Sequence, residues 1–322
     1  MKITTGRNIA ITSGIICILL AVSLVGAIAN YTSIISAKDN TITSQDATIN
    51  NLQQKINNLE TLIFHVSEKG EDYTYAQLPN ATDTYNQILA LNNNTYQILL
   101  LPEYKGNLNW TQELNWIANN FGGPQGIPIM IDVFGGGNSA TPTPQLTTED
   151  ITEAMAVANV KYLRIAEVMS WHIENKQPFP TNYVTELLEF CRANNLKIFW
   201  TEWKNDYPTK NVETFTAIQT IIKGYEDTVT VSFSTNSYEL EPADGFLQLN
   251  QMFPQWGASI QPWYWNTNHN SDLMQMPASL ILEHALTAKG IGAKTIQFEP
   301  YWYFFNNGEP NNNLKLLLTT LT

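Results

Sequence analysis

From about residue 95 onward the chain alternates strand-like and helix-like runs, and nothing else in the sequence limits its fold as much. The strand-like runs are TYQILLLP, IPIMIDVFG, VKYLRIAEV, LKIFWTEW, DTVTVSFS, GASIQPWYW and AKTIQFEPYW. Between or after them lie TQELNWIANNF, TTEDITEAMAVAN, NYVTELLEFCRANN, VETFTAIQTIIKGYE, ADGFLQLNQMF, PASLILEHALTAKG and NNLKLLLTTL, all helix-like. Thr148 before Glu149 and Asp150 marks a helix start, and Asn195 and Gly290 stand where helix ends are expected. Seven such units predict a parallel sheet wrapped by helices. The apolar strands suit a sheet covered on both faces. The expected fold class is α/β, a (β/α)8 (TIM-like) barrel over residues 95–322 with one strand unrecognised, either in residues 72–92 or in an irregular loop. An open doubly wound sheet is the alternative. The glycine-rich turn at Gly135, Gly136 and Gly137 lacks the order of a dinucleotide fingerprint and a P-loop lysine, so no nucleotide or other cofactor is expected.

Upstream the pattern changes twice. Asn8 to Ala29 carry no charge, follow Lys2 and Arg7, and are long enough to cross a bilayer. Residues 1–30 are therefore expected to be a cytoplasmic tip and transmembrane anchor, with the main domain extracellular. A cleaved signal peptide, ending at the small residues around Ala27 and Ala29, is the competing reading; its core would normally be shorter. Sequons at Asn30, Asn80, Asn93 and Asn109 agree with export under either reading. In residues 40–68, Ile42, Ile49, Ile56 and Ile63 recur every seven positions, with Gln45, Leu52, Leu59 and Val66 offset by three. This a/d seam predicts a coiled-coil stalk and a homodimer through it, against a single amphipathic helix packed on the main domain. Residues 69–94 read as a linker or entry segment.

Charge narrows the partners. Seventeen basic against 29 acidic residues give a net charge of −12, which argues against nucleic acid. Cys17 and Cys191 have no metal-ligand spacing and are not expected to pair. His65, His172, His269 and His284 form no HxH or HExxH pattern, so no metal is expected. No GxSxG elbow is present.

Function in a barrel resides at the carboxyl ends of the strands. Here those ends carry Asp132, Glu167, Glu202, Glu239, Glu241 and Glu299. Around them stand Trp171, Trp203, Trp263, Trp265, Tyr301 and Trp302, with His172 and His269 on the loops. Two carboxyl groups can serve as acid and nucleophile on a glycosidic bond, and aromatic faces stack on sugar rings. Glu299 stands out because Pro300 and three aromatics follow it at once, which disfavours a helix-capping role. Each glutamate also has a structural reading, as a helix cap or an ion-pair partner, and Glu167 beside Arg164 fits that reading well. Asp132, Glu167, Glu239 and Glu241 remain alternative carboxylates. Trp263 and Trp265 share one side of an extended strand and form either a stacking platform or the closure of the barrel mouth.

If TYQILLLP is the first strand, Glu202 ends strand four and Glu299 strand seven, an arrangement similar to the clan A retaining glycosidases. It departs from them in having Thr201, where that clan usually has Asn, before the acid. The segment MPASLILEHALTAKGIGAKTIQFEPYW resembles the late helix, Gly-Ala turn and Glu-ending strand of glycoside hydrolase family 98. The resemblance implies a hydrolase of O-glycosyl bonds in complex glycans, with Glu202 as acid/base and Glu299 as nucleophile. Trp171, His172, Trp203, Trp263, Trp265, His269, Tyr301 and Trp302 are the expected substrate-binding set. The expectation is thus a membrane-anchored extracellular glycoside hydrolase acting on carbohydrate. The alternative is a non-catalytic surface module that binds glycan or protein through the same cleft.

Overall fold

The computed structural model describes residues 30–36, 38, 42, 60–67, 81–92, 95–103, 110–135, 143–202, 211–235, 242–260, 278–299, 304–306 and 309–321. The chain divides into two units, Met1–Asn58 and Leu59–Thr322. In the first, residues 30–36 are helical and exposed. The anchor expected at residues 8–29 lies outside the described residues, as does most of the heptad seam. Among the described residues no helix is long and apolar enough to cross a membrane.

The second unit is a closed barrel of eight parallel strands. They are β1 (Thr61–Ser67), β2 (Gln97–Glu103), β3 (Pro128–Asp132), β4 (Asn159–Ala166), β5 (Lys197–Glu202), β6 (Val229–Thr235), β7 (Gly257–Ile260) and β8 (Thr295–Phe298). Neighbours in sequence are neighbours in the barrel, and β1 closes it against β8 through the register Thr61–Thr295 to Phe64–Phe298. The closure excludes the open doubly wound sheet.

The eighth strand, β1, is TLIFHVS at residues 61–67. This corrects the sequence reading at both of its boundaries. Ile63 and Val66, the last heptad positions, belong to a barrel strand and not to a stalk. Residues 81–92 form helix α1, so the barrel unit begins well before residue 95. A short apolar run satisfies a heptad and a buried strand equally well; only the partners decide.

Around the barrel run α2 (Trp110–Phe121), α3 (Thr148–Val157), α4 (Val168–Glu174), α5 (Thr181–Ala193), α6 (Val212–Ile221), α7 (Pro242–Met252), α8 (Ala278–Ile291) and α9 (Asn312–Leu321). The start of α3 is capped by Thr147, one residue before the expected signal. Its hydroxyl receives the Asp150 N–H, while the Asp150 carboxylate receives the Thr147 N–H. Asn195 takes a left-handed φ of 55° after α5, as expected of a helix end. For α8 the left-handed residue is Gly292, at φ 108°, and Gly290 is still helical.

The alternation of side chains along each strand sorts the core into two layers. Leu62, Phe64, Ile98, Leu100, Leu163, Ile165, Ile198, Trp200, Val229, Val231, Phe233, Ala258, Ile260, Ile296 and Phe298 face the helices in one continuous cluster. Ile63, Leu99, Leu101, Met130 and Phe199 form a separate cluster inside the barrel, with Tyr162 against it. The Thr61 and Tyr162 hydroxyls lie 3.4 Å apart across the lumen.

Candidate functional site

The two layers fix where each strand-end carboxylate points. Glu202 shares the parity of Ile198 and Trp200, so it faces out of the barrel wall toward the helices. Its carboxylate is fully buried. One oxygen accepts the Met169 N–H at 3.1 Å and the Trp200 Nε1–H at 2.6 Å; the other accepts the Ser170 N–H at 3.0 Å and its hydroxyl at 2.6 Å. Met169 and Ser170 lie in the first turn of α4, whose amides have no intrahelical acceptors. Glu202 therefore serves as the cap of a helix from the preceding unit. Burial pushes its carboxyl above the ordinary range, against the hydrogen bonds from Ser170, Trp200 and Met169 that favour the ionised form.

The cap comes from Glu202 because the chain's own capping position cannot supply it. Glu167 precedes α4 in a left-handed conformation, φ 59° and ψ 28°, and makes no side-chain cap bond. A non-glycine residue there is uncommon and strained. Its backbone N–H is tied to the Thr201 carbonyl at 2.8 Å. His172, on α4, is buried; its ring lies 5.7 Å from Phe179, which stacks on Trp200 at 6.0 Å. Trp171 is half-buried beside it, ring centroids 5.2 Å apart.

Glu299 has the opposite orientation. It follows Gln297 at the inward parity, whereas Phe298 packs outward. There it meets Arg164, which shares the inward parity of Tyr162 on β4; Arg164 in turn meets Asp132, which shares the inward parity of Met130 on β3. The Arg164 guanidinium lies 3.3 Å from Asp132 Oδ2 and 3.8 Å from Glu299 Oε1. The Arg164 and Glu299 side chains are each 7% exposed, and Asp132 is 34% exposed. The result is a buried cation between two carboxylates, at the carboxyl-terminal end of the lumen.

A further carboxyl borders this cluster. Glu113, in the first turn of α2, is half-buried, and its pKa is pushed up to about 7 by burial and by the nearby charge of Asp132. It is a proton donor or acceptor near neutrality. Ser232, Ser234 and Ser259 also face inward, with Thr201 and Gln297; all five are fully buried.

The structure brings together Asp132 and Glu299 of the expected carboxylates and separates Glu202 from both. Trp203, Glu239, Glu241, Trp263, Trp265, His269, Tyr301 and Trp302 lie outside the described residues. Sequence reasoning passed over Arg164 except as a neighbour of Glu167, and missed Glu113 and the inward serines altogether. The signal for the serines was present in VTVSFST, where apolar residues alternate with Thr, Ser and Ser. Such alternation in a strand covered on both faces marks a polar lumen.

No protein-family model matches the chain, and no curated protein does. Among solved structures it is similar to a Schiff-base-forming fructose-1,6-bisphosphate aldolase, at 10% identity and a TM-score of 0.48 over 82% of this chain and 94% of the other. It is also similar to triosephosphate isomerase from Bartonella henselae (9%, 0.43, 74% and 92%) and to Yersinia pestis DHPS (10%, 0.45, 82% and 95%). At such identities the likeness concerns fold alone. The resemblance to glycoside hydrolase family 98 is not upheld by the geometry of its two carboxylates. Glu202 and Glu299, its expected catalytic pair, face opposite sides of the barrel wall. With the first strand found, they end strands five and eight, not four and seven, which also removes the likeness to the clan A arrangement.

Proposed function

We propose that the chain is a barrel enzyme that moves a proton next to a carbonyl group, with Glu299 as base and Arg164 as the group that holds the resulting negative oxygen. The observation that carries this reading is the buried Arg164 guanidinium set between Glu299 and Asp132 at the catalytic end of the lumen. A carboxylate alone at such a place is a poor catalyst of enolisation. Beside a guanidinium it acquires an electrostatic partner for the charge that develops.

The step balances simply. The Glu299 carboxylate takes a proton from the carbon adjacent to the carbonyl. The electron pair of that C–H bond forms the carbon–carbon double bond, and the carbonyl π pair moves to oxygen. Arg164 stabilises that oxyanion. Return of the proton to the neighbouring carbon gives the isomer, and return to the original carbon gives exchange or epimerisation. Glu113, with its pKa near neutrality, supplies or accepts the hydroxyl proton that accompanies the shift. Asp132 holds Arg164 in place and balances its charge.

Schiff-base chemistry receives no support from the described residues, since no described inward position of the eight strands' carboxyl-terminal halves is a lysine. The direct test is solvent exchange. The folded protein in D2O is incubated with a panel of small hydroxy-carbonyl compounds, and deuterium incorporation is followed by NMR. Glu299→Gln is expected to lower the exchange rate by about 10²–10⁴-fold, the usual contribution of a positioned base. Equal rates in both proteins would remove Glu299 from the chemistry.

A further inference from the structure

The lumen of this barrel is divided. On β1 to β5 the inward apolar side chains are large: Ile63, Leu99, Leu101, Met130, Tyr162 and Phe199. On β5 to β7 the inward positions nearer the carboxyl ends are small and hydroxylated: Thr201, Ser232, Ser234 and Ser259. Register makes a continuous wall of them. Thr201 pairs with Ser232, Ser234 with Ser259, and Ser259 with Gln297. Gln297 then leads up β8 to Glu299 on the same face, two residues or about 6.6 Å further along the strand.

All four hydroxyls belong to fully buried residues, and none has a hydrogen-bond partner among the described residues. Leaving a buried polar group unmatched costs about 1–3 kcal/mol, so four together are not a neutral choice for a folded lumen. Alanine or valine at these positions would carry no such cost. Phe199 lies beneath the wall, with its ring 3.1 Å from where a Cβ on Gly257 would stand. The hydroxyl wall thus stands above an aromatic floor and runs toward the Glu299 carboxylate.

We infer that this wall is the binding surface for the hydroxyl groups of the substrate, and that the substrate is a short, uncharged polyhydroxy carbonyl compound. The inference rests on the proton-transfer reading of Glu299 and Arg164 and supplies its substrate class. Hydroxyls both donate and accept, so a wall of them matches a chain of substrate hydroxyls one for one. Charge excludes a phosphate ester as the preferred form. In the described cluster two carboxylates, Asp132 and Glu299, stand beside the one Arg164 guanidinium. A phosphate dianion there would face the repulsion of both carboxylates.

The experiment measures binding separately from turnover. Dihydroxyacetone, D-erythrose and D-xylose, each beside its phosphate ester, are titrated into wild-type protein and into Ser234→Ala and Ser259→Ala, with ligand-observed NMR as the readout. Thermal unfolding of each variant verifies that it is folded; Ser232→Ala is the replacement should either variant fail. The inference expects one of the free compounds to bind, its ester to bind more weakly, and each serine variant to weaken binding about 3–10-fold, the worth of one neutral hydrogen bond. Tighter binding of an ester than of its parent overturns the inference, as does binding that ignores every serine substitution. Binding of none overturns it too and leaves ordered water as the partner of the hydroxyls. Deuterium exchange is read in the same samples. Binding of a free compound without Glu299-dependent exchange would sink the proton-transfer reading while keeping the hydroxyl wall; exchange on an ester alone would do the reverse.

Discussion

Glu202 and Ser170 meet twice, through the Ser170 N–H at 3.0 Å and the Ser170 hydroxyl at 2.6 Å, both to the same carboxylate oxygen. With Met169 and Trp200 on the other oxygen, the carboxylate is saturated by four donors. A glutamine in its place offers one acceptor oxygen and an amide that faces two donors. Glu202→Gln is therefore expected to lower unfolding free energy by about 2–4 kcal/mol, from unmatched buried donors. Urea denaturation checks it. Deuterium exchange per folded molecule should stay within a few-fold of wild type. A stable Glu202→Gln protein with no exchange would return this residue to the active site.

Gly257 has room for a hydrogen and nothing larger. A Cβ there would stand 2.4 Å from the Thr295 carbonyl oxygen of the neighbouring strand and 3.1 Å from the Phe199 ring. The carbonyl is part of the sheet and cannot move aside alone. Gly257→Ala is expected to cost about 1–3 kcal/mol by overpacking, measured as a lower urea midpoint with an unchanged slope. An unaltered midpoint would mean that the β7–β8 pairing yields more readily than its register implies.

How much of this was legible in the sequence depends on what decides each element. Seven strands and seven of the eight helices were readable from residue 95 onward, because their apolar periodicity is fixed by burial against a neighbour of either kind; α4, which carries the His172 expected on a loop, was not. The eighth strand was not. In TLIFHVS the same residues satisfy a heptad continued from Ile42 and a strand paired with β2 and β8, and only long-range pairing separates the two. The orientation of Glu202 was decided by one residue of parity: it follows outward Trp200 by two, whereas Glu299 follows inward Gln297. Parity could have been read from Phe199 and Phe298 only by knowing which face was the lumen. Arg164 was invisible for a related reason. Its partners Asp132 and Glu299 are 32 and 135 positions away, and register alone brings them together.

His284 gives the fold an acid-sensitive point. It is buried in α8, its Nδ1 has no partner among the described residues, and burial pushes its pKa down to about 4. Its ordinary value is 6.5, so the unfolded chain binds this proton more readily. Stability from this residue is present above pH 6.5 and is lost as pH falls toward 4. The loss approaches about 3 kcal/mol at the low end. His284→Met should show a shallower decline between neutral and acid pH in urea denaturation. Parallel declines would assign the acid limb to other groups.

Glu113 titrates in the opposite sense. Its folded pKa of about 7 lies above the ordinary 4.5, so the stability it contributes is complete below pH 4.5 and is lost as pH rises through 7. Glu113→Gln is expected to be more stable than wild type at pH 8, by about 1–2 kcal/mol after solvent screening, and equal to it at acid pH. The same substitution should alter the pH profile of deuterium exchange near neutrality. Glu113→Gln with an unchanged profile would leave Glu113 a strained carboxyl at the rim and no part of the proton path.

Arg164 is where stability and chemistry share one side chain. Its removal in Arg164→Met leaves Asp132 and Glu299 facing each other without the cation, and breaking a buried pair in this way costs about 3–5 kcal/mol. Asp132 is a third exposed and water compensates part of its loss, so most of the penalty falls on Glu299. Neutralising Glu299 removes that penalty. In Arg164→Met combined with Glu299→Gln, the destabilisation should fall short of the sum of the single variants by about 1–3 kcal/mol. Arg164→Lys keeps the charge and loses the fork that reaches two carboxylates at once, so it should retain more stability than Arg164→Met and still lose exchange activity. Strict additivity in the double-mutant cycle would mean that the 3.8 Å contact carries no energy, and the electrostatic basis of the proposed site would go with it.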